Sequence, residues 1–452
     1  MPNYYQLMPF CKPKRTVLEA WRAIFQKYII TLAQITTNHM NFRRLLTCVM
    51  VCTLYTSTSH AQLAEYDENR PVGWAVTDGM TTGSNDENPV TVTTMSEFVK
   101  AMAGTEKRTI YVKGELTTSK QVSVSGAANK TVYGLPGASL TNTEGRESST
   151  SGILALKDCK NIILRNLTFK GAGAYDVDGN DNLTVTGTDY LWVDHCDFQD
   201  GVDGNFDCTN GCDHVAVTWC RFRYLIDPKA GGSGGSSDHR FSNLWGSGDN
   251  KEDLDGGKLK TTFANCWWDD GCKDRMARVR FGKVHFVNCL YSSNNASGCV
   301  GVGYKAAIYV ENCAFTSSAT KKKPWKYPSD SGKKTSSFVF TGCVGAEDQK
   351  TSNGSWDYFI PSEYYEYSAY DVNDVEKVVS NEETGAGPTL KIKEGDKFTT
   401  SVTTLTTGKG DVVETHIYDL TGRRRASMGK GMNIIRQEMS DGSVRIMKVM
   451  RR

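Results

Sequence analysis

The chain has 452 residues and a mass of 49.9 kDa, with 39% hydrophobic residues, 23% charged residues and only 11 prolines. This composition excludes a disordered or collagen-like chain and leaves room for one large core or several ordinary domains. The 53 basic residues nearly balance the 51 acidic ones, but seven basic residues and one acidic residue fall within the first 61 positions. The rest of the chain therefore has a slight negative net charge, which argues against a nucleic-acid-binding protein.

The N-terminal region contains a pattern typical of a secretory signal peptide. An apolar stretch from Leu45 to Thr56 follows two arginines, is too short to span a bilayer, and leads to Ser-His-Ala before Gln62. We therefore expect residues 40–61 to be a signal peptide of a secreted or cell-surface protein with no membrane span after processing. Residues 1–39 then represent an over-long gene start, and a genuine cytoplasmic extension is the alternative.

A short motif recurs through the middle of the chain. Its eight copies are RNLTF, DHCDF, TWCRF, SNLWG, ANCWW, VNCLY, ENCAF and TGCVG, and their second residues are Asn166, His195, Trp219, Asn243, Asn265, Asn288, Asn312 and Gly342. Each copy accompanies short runs of β-type residues separated by Gly, Asn and Asp. A period of about 23 residues with several strands and no helix predicts an all-β parallel solenoid, because propeller blades need longer repeats.

The solenoid predicts the domain organisation. We expect it to fill residues 62–393, followed by a Thr/Gly/Lys-rich linker at 394–410 and a short β tail at 411–452. Equivalent residues of successive coils stack about 4.8 Å apart. The marker asparagines, including Asn243, should therefore form an internal amide ladder.

The cysteines divide into two groups. Six of them follow the marker residues directly and should form a column of unpaired, buried thiols, because parallel in-register side chains do not suit disulfide geometry. Four other cysteines lie in apparent loop sequence and are better candidates for disulfide bonds: Cys208, Cys212, Cys272 and Cys299.

Charged residues collect on one predicted ridge of the solenoid. Asp181 lies 14 residues before its marker, and Asp203 and Asp207 bracket the same position one coil later. Three converging carboxylates repel one another unless a cation lies between them, and their oxygens suit calcium. Lys229, also 14 residues before its marker, and Arg275, 13 before, are predicted on the same ridge.

A cationic run, KDRMARVRFGK, follows this cluster. Arg278 and Arg280 share one face of an extended strand, so the run is more than a solvated surface stripe. Guanidinium groups beside a cluster of carboxylates that could bind calcium indicate an anionic polymer as the ligand.

The segments WVDHCDF, DGNFD, VAVTW and RMARVRFGKVHFVN, with VGWA and TTGS before them and GAGPTL after, resemble the calcium-dependent pectate lyases of the pectate/pectin lyase superfamily. The resemblance covers roughly residues 71–390. It implies a right-handed parallel β-helix that cleaves α-1,4-linked polygalacturonate, an anionic polysaccharide, by β-elimination to 4,5-unsaturated products. It also assigns calcium to Asp181, Asp203 and Asp207, the role of base to Arg275, and substrate binding to Arg280.

Two positions depart from the family pattern. Ala277 occupies a place that is usually proline, and Phe241 occupies the place of the substrate-binding lysine. For that missing lysine the register favours Lys229 over Arg240, and Arg278 is a further candidate for substrate binding. The C-terminal tail weakly resembles the sorting domains of type IX secretion substrates.

Two other functions remain open at this point. A polygalacturonase-like glycoside hydrolase would use two carboxylates without calcium, and a non-catalytic solenoid would only bind acidic glycans. Asp194 and His195 could suggest a catalytic dyad, but His195 occupies a ladder position and favours a structural role. We expect a monomer.

Overall fold

The computed structural model describes residues 69–329, 335–354 and 356–396, together with four strands between residues 412 and 451. The predicted signal peptide, the segment before it and most of the predicted linker lie outside these residues. The described body is a parallel β-helix, in which each coil contributes one strand to each of three sheets. The prediction of a parallel β-solenoid is confirmed.

Sheet A has eleven strands, and all its pairs are parallel except the last. Its strands are Val90–Val92, Arg108–Val112, Ala128–Gly134, Lys160–Arg165, Asp189–Asp194, Asp213–Thr218, Thr261–Ala264, Lys283–Val287, Ala307–Glu311, Ser336–Thr341 and Gln349–Asn353.

Sheets B and C have eight strands each. Sheet B contains Glu115–Thr117, Ser139–Thr141, Thr168–Lys170, Asp197–Gln199, Arg221–Arg223, Trp267–Trp268, Leu290–Tyr291 and Ala314–Phe315. Sheet C contains Val122–Ser125, Leu154–Lys157, Leu183–Thr186, Phe206–Thr209, Leu244–Trp245, Arg278–Val279, Val300–Val302 and Trp325–Lys326.

Helices are short and lie outside the three sheets. Met95–Met102 buries Met95, Phe98 and Met102, and its N-terminus has a capping box between Thr94 and Glu97. The other helical segments of the described ranges are Gly73–Val76, Glu252–Asp255, Ser318–Lys322, Pro361–Glu363, Val372–Asp374 and Val375–Val379. Among the residues described, no helix is long and apolar enough to cross a membrane.

The tail contains an antiparallel sheet, as the β pattern of the sequence predicts. Its strands are Val412–Tyr418, Arg424–Arg425, Gly431–Met439 and Val444–Arg451.

The repeated motif marks the corner between sheets A and B. Asn166, Asn265, Asn288 and Asn312 have φ between 52° and 62°, a left-handed conformation that asparagine adopts more readily than most residues. Their amides contact the C-terminal segment: Asn166 donates to the Leu390 carbonyl, Asn288 to that of Ser368 and Asn312 to that of Tyr370. The ladder exists, but it lies beneath this covering segment instead of inside the coil.

Asn243 does not belong to the ladder, so its assignment as a marker was wrong. It precedes the sheet C strand Leu244–Trp245, whereas true markers follow sheet A strands. Its side chain binds the Phe206 carbonyl and the Trp268 indole inside the coil. The coil between markers Trp219 and Asn265 therefore contains a long insertion.

The core is a stack of aromatic rings beside a column of thiols. Phe169, Phe198, Phe222, Trp268, Tyr291 and Phe315 lie in successive coils, with neighbouring ring centres 4.5 to 5.4 Å apart. All eleven cysteines from Cys159 to Cys343 are unpaired. This confirms the unpaired column but contradicts the expected disulfides, because Cys208, Cys212, Cys272 and Cys299 are also fully buried in the core.

Candidate active site

The candidate site lies on the outward face of sheet C. Side chains alternate along each strand, so Val185, Cys208, Trp245 and Val279 enter the core while their neighbours point outward. The strand register aligns four of these neighbours in one row: Thr184, Asp207, Leu244 and Arg278. The row carries an acidic side chain and a basic side chain two strands apart.

Two of the three predicted carboxylates, those of Asp181 and Asp207, lie on either side of one gap in the structure. Extending the pairing of Leu183 with Phe206 places Asp181 opposite Gly204, which lies between Asp203 and Asp207. A Cβ added at Gly204 would lie 2.8 Å from Oδ1 of Asp181 and 3.1 Å from Oδ1 of Asp207. The absence of a side chain at Gly204 therefore leaves an open gap between two carboxylates.

Burial and mutual repulsion raise the pKa of the carboxyl groups of Asp181 and Asp207. Burial, with a contribution from Asp203, raises the pKa of Asp181 to about 7. Burial and both neighbouring carboxylates also raise the pKa of Asp207 well above its usual value. Arg275 opposes both shifts, so its positive charge acts directly on the pair.

The donor set fits a calcium ion shared with another ligand. Oδ1 of Asp181 is buried and has no hydrogen-bond partner, while its Oδ2 accepts a hydrogen bond from Thr184 at 2.9 Å. Oδ1 of Asp207 accepts from the Leu244 amide at 2.9 Å. In the part of the chain that the structure describes, no three His, Cys, Asp or Glu side chains converge into a complete metal-binding group. Calcium takes six to eight oxygen ligands, so water and substrate would complete its shell.

Arg275 is held beside the carboxylates by its backbone and by an aromatic ring. It has a φ of 56°, and its amide donates to Oδ1 of Asp274 at 2.7 Å. The other oxygen of Asp274 pairs with Lys326. Phe241 forms a bridge with Asp274 and lies with its ring centre 4.9 Å from the Arg275 guanidinium carbon. The hydrogen bond fixes the backbone of Arg275, and the ring of Phe241 restricts the direction of its side chain.

Arg278 and Arg280 flank the buried Val279 and lie on the same outward face, as predicted. Arg280 donates to Oδ1 of Asp249 at 2.8 Å and to the Gly246 carbonyl at 2.7 Å, and its side chain is mostly buried. Sheet C register places Arg278 next to Gly301, and Arg278 is buried, with only 6% of its surface exposed. Both arginines therefore follow Arg275 along the outward face of sheet C with little surface open to solvent.

Lys229 is not on the ridge of Asp181, and the reason is the misassigned marker. It forms a bridge with Tyr175, and its ammonium lies 4.0 Å from the centre of that ring and 3.9 Å from Oε1 of Glu147. Its side chain is 44% exposed. Arg240 pairs with Asp238 at 2.7 Å.

Sequence reasoning missed His239. This residue ends the insertion, and its ring nitrogens lie 3.2 Å from Oδ1 of Asp176 and 3.0 Å from Oδ1 of Asp203. Its ring centre is 4.2 Å from that of Phe241. The repeat register does not extend through an insertion, so only the proximity of His239 to Phe241 in the sequence pointed to the site.

His195 has the structural environment that the sequence favoured. Its Nδ1 lies 2.8 Å from Oδ2 of Asp194, which also pairs with Arg165 at 2.7 Å. The ring stacks on Trp219 at the corner between sheets A and B. Asp194 and His195 therefore stabilise the corner and lie on a different part of the coil from Asp207.

The family model for pectate lyases matches residues 43–388. Probable pectate lyase B of Aspergillus terreus is 29% identical over 55% of this chain and 70% of its own length. The pectate trisaccharide-lyase of Thermotoga maritima is 27% identical over 58% of this chain and 68% of its own length. A solved pectate lyase bound to a hexasaccharide has the same fold, with a TM-score of 0.56 and 21% identity over 71% of this chain and 98% of that structure. The chain belongs to the pectate lyase family.

Proposed function

We propose that the protein is a secreted pectate lyase that cleaves α-1,4-linked polygalacturonate by calcium-dependent β-elimination. The observation that carries the proposal is the placement of Arg275 within electrostatic reach of Asp181 and Asp207 on the outward face of sheet C. The relatives of this protein that are named pectate lyases support the same reaction. The signal-like sequence at residues 40–61 supports secretion.

The polysaccharide lies across the row of sheet C strands in this proposal. Arg278 and Arg280 bind uronate carboxylates there, because guanidinium groups match carboxylate geometry. Lys229 contributes a further cation from the side of Tyr175. Asp181, Asp203 and Asp207 would hold calcium, which supplies positive charge that neutralises a substrate carboxylate and makes the adjacent C5 proton more acidic.

Arg275 acts as the base. A nitrogen of its neutral guanidine form takes the proton from C5 and becomes guanidinium, and the electron pair left behind forms the C4–C5 double bond. The bond between C4 and the glycosidic oxygen breaks, and that oxygen takes up a proton from solvent. Asp274 holds the backbone of Arg275, and Phe241 keeps its side chain directed at the reacting sugar.

The reaction products test this proposal. Incubation with polygalacturonate should give unsaturated oligosaccharides that absorb in the ultraviolet, and a calcium chelator should abolish the signal. Reducing ends without ultraviolet absorbance would indicate a hydrolase instead. Binding of polygalacturonate with neither signal would indicate a non-catalytic glycan-binding protein.

A further inference from the structure

The contact between His239 and Asp203 connects the insertion to the proposed calcium site. Nε2 of His239 lies 3.0 Å from Oδ1 of Asp203, and Nδ1 lies 3.2 Å from Oδ1 of Asp176. The histidine side chain is only 8% exposed, whereas the side chain of Asp203 is 28% exposed. Neither nitrogen makes a well-aligned hydrogen bond, so these are close polar contacts on both sides of the ring.

Asp176 fixes the insertion that delivers His239. Its carbonyl accepts the Gly234 amide at 2.9 Å, and its Oδ2 accepts the Ser236 amide at 2.7 Å. A Cβ at Gly234 would lie 2.0 Å from Oδ1 of Asp176, so the loop can approach this closely only because residue 234 is glycine. The loop therefore has a defined path that ends with His239 against Asp203.

We propose that His239 is a positioning residue that holds the Asp203 carboxylate in the orientation needed to bind calcium. This inference rests on the proposed function, since it assumes that Asp203 is a calcium ligand. His239 contacts Oδ1 of Asp203 and restricts rotation of the carboxylate. Oδ2 is then the oxygen that binds the cation. Asp176 in turn fixes the ring.

The physical effect is on calcium affinity. Asp203 is the most exposed of the three carboxylates, so without a neighbour it would lose conformational entropy when it binds an ion. Removing a group that orients a metal ligand typically reduces metal affinity about 10- to 100-fold.

Calcium titration by calorimetry, with calcium alone and no substrate, tests the inference. His239→Ala should raise the calcium Kd by about tenfold or more. His239→Asn, which keeps a side-chain donor, should restore part of the affinity. His214→Ala is the matched control, because Nδ1 of His214 also lies 2.7 Å from a carboxylate, that of Asp189, but on sheet A. The control should leave the calcium Kd unchanged.

The outcomes separate this inference from the proposed function. If His239→Ala binds calcium as tightly as the wild type, or more tightly, the positioning role is refuted while the lyase assignment stands. If the wild type takes up no calcium in the absence of substrate, the positioning role is refuted, and the ultraviolet assay with and without chelator still tests the lyase activity and its calcium dependence separately. Asp176→Asn is a second variant in case His239→Ala does not fold, and it should raise the Kd in the same direction.

Discussion

Arg275 lies over the ring of Phe241, with 4.9 Å between the guanidinium carbon and the ring centre. The aromatic ring stands where the resemblance to pectate lyases implies a substrate-binding lysine. The chain therefore has an apolar surface beside its proposed base at a place where a second positive charge is expected. A guanidinium group stacks favourably on such a surface, which restricts its motion.

Replacing Phe241 with leucine should reduce kcat. An arginine–aromatic contact is worth roughly 0.5 to 2 kcal/mol, which corresponds to a roughly 2- to 30-fold loss if the contact is needed to orient Arg275. Steady-state kinetics on polygalacturonate at saturating calcium would measure the change. Phe241→Tyr keeps the ring and should retain most of the activity, and an equal loss in both variants would contradict an orienting role for the ring.

Arg275→Lys should lose turnover while keeping the fold and the calcium affinity. Lysine keeps the charge but cannot place a planar nitrogen at the same point above Phe241, so we expect kcat to fall by at least about 100-fold. Single-turnover kinetics and calcium calorimetry together would show whether chemistry alone is affected. A variant with near-normal kcat and only a raised KM would mean that Arg275 binds a carboxylate and that another group is the base.

Asp207→Asn should behave differently because it removes a carboxylate from the proposed calcium site. The calcium concentration for half-maximal activity should rise by about tenfold or more, and high calcium should restore part of the lost turnover. The comparison with Arg275→Lys is the control, since no calcium concentration should rescue that variant. Failure of calcium to restore any activity in Asp207→Asn would place Asp207 in the chemical step instead.

The site could be predicted where the coils are regular. Asp181, Asp203 and Asp207 belong to consecutive coils whose markers, His195 and Trp219, both adopt the left-handed corner conformation. Sequence spacing there corresponds directly to strand register, so the closeness of Asp181 and Asp207 followed from counting. The same reasoning placed Arg278 and Arg280 on one face, because the buried Val279 lies between them.

Prediction failed where the chain inserts residues into a coil. The SNLWG motif resembles the others, but Asn243 does not have their positive φ, and the true coil extends from Trp219 to Asn265. Counting back from Asn243 therefore placed Lys229 on the wrong ridge. The path of the insertion depends on three-dimensional contacts with Asp176, which carry no periodic signal, so His239 could not be found in this way.

The position of Lys229 nevertheless leaves it available to a substrate. Its side chain is 44% exposed and its contact with Glu147 is long, at 3.9 Å, whereas Arg240 makes two hydrogen bonds to Asp238 and is mostly buried. Lys229→Ala should raise KM by roughly two- to fivefold, as expected for loss of an exposed charge contact. Arg240→Ala should raise KM less, and the reverse ranking in kinetics on polygalacturonate would identify Arg240 as the substrate contact.

A buried hydrogen-bond chain under the C-terminal segment should make stability depend on pH. Thr262 donates to the hydroxyl of Tyr365 at 3.0 Å, and that hydroxyl lies 3.0 Å from Nδ1 of His285. Nε2 of His285 lies 2.8 Å from Oε1 of Glu311. When His285 is neutral, both of its hydrogen bonds can form, because Nδ1 accepts from the Tyr365 hydroxyl and Nε2–H donates to Glu311. A proton on Nδ1 would turn this acceptor into a donor and break the chain.

Burial lowers the pKa of His285 in the folded protein, although Glu311 opposes the shift. In the unfolded chain, histidine has a pKa of about 6.5, so below that pH the unfolded chain binds a proton that the folded protein excludes. The stability contributed by neutral His285 is therefore complete above about pH 6.5 and is lost as the pH falls through the pKa of His285 in the folded protein. Thermal unfolding of the wild type and of His285→Gln, which cannot titrate, should show a difference in Tm that shrinks as the pH is lowered from 7.5 to 5. A difference that stays constant across this range would mean that His285 does not control the acid sensitivity of the fold.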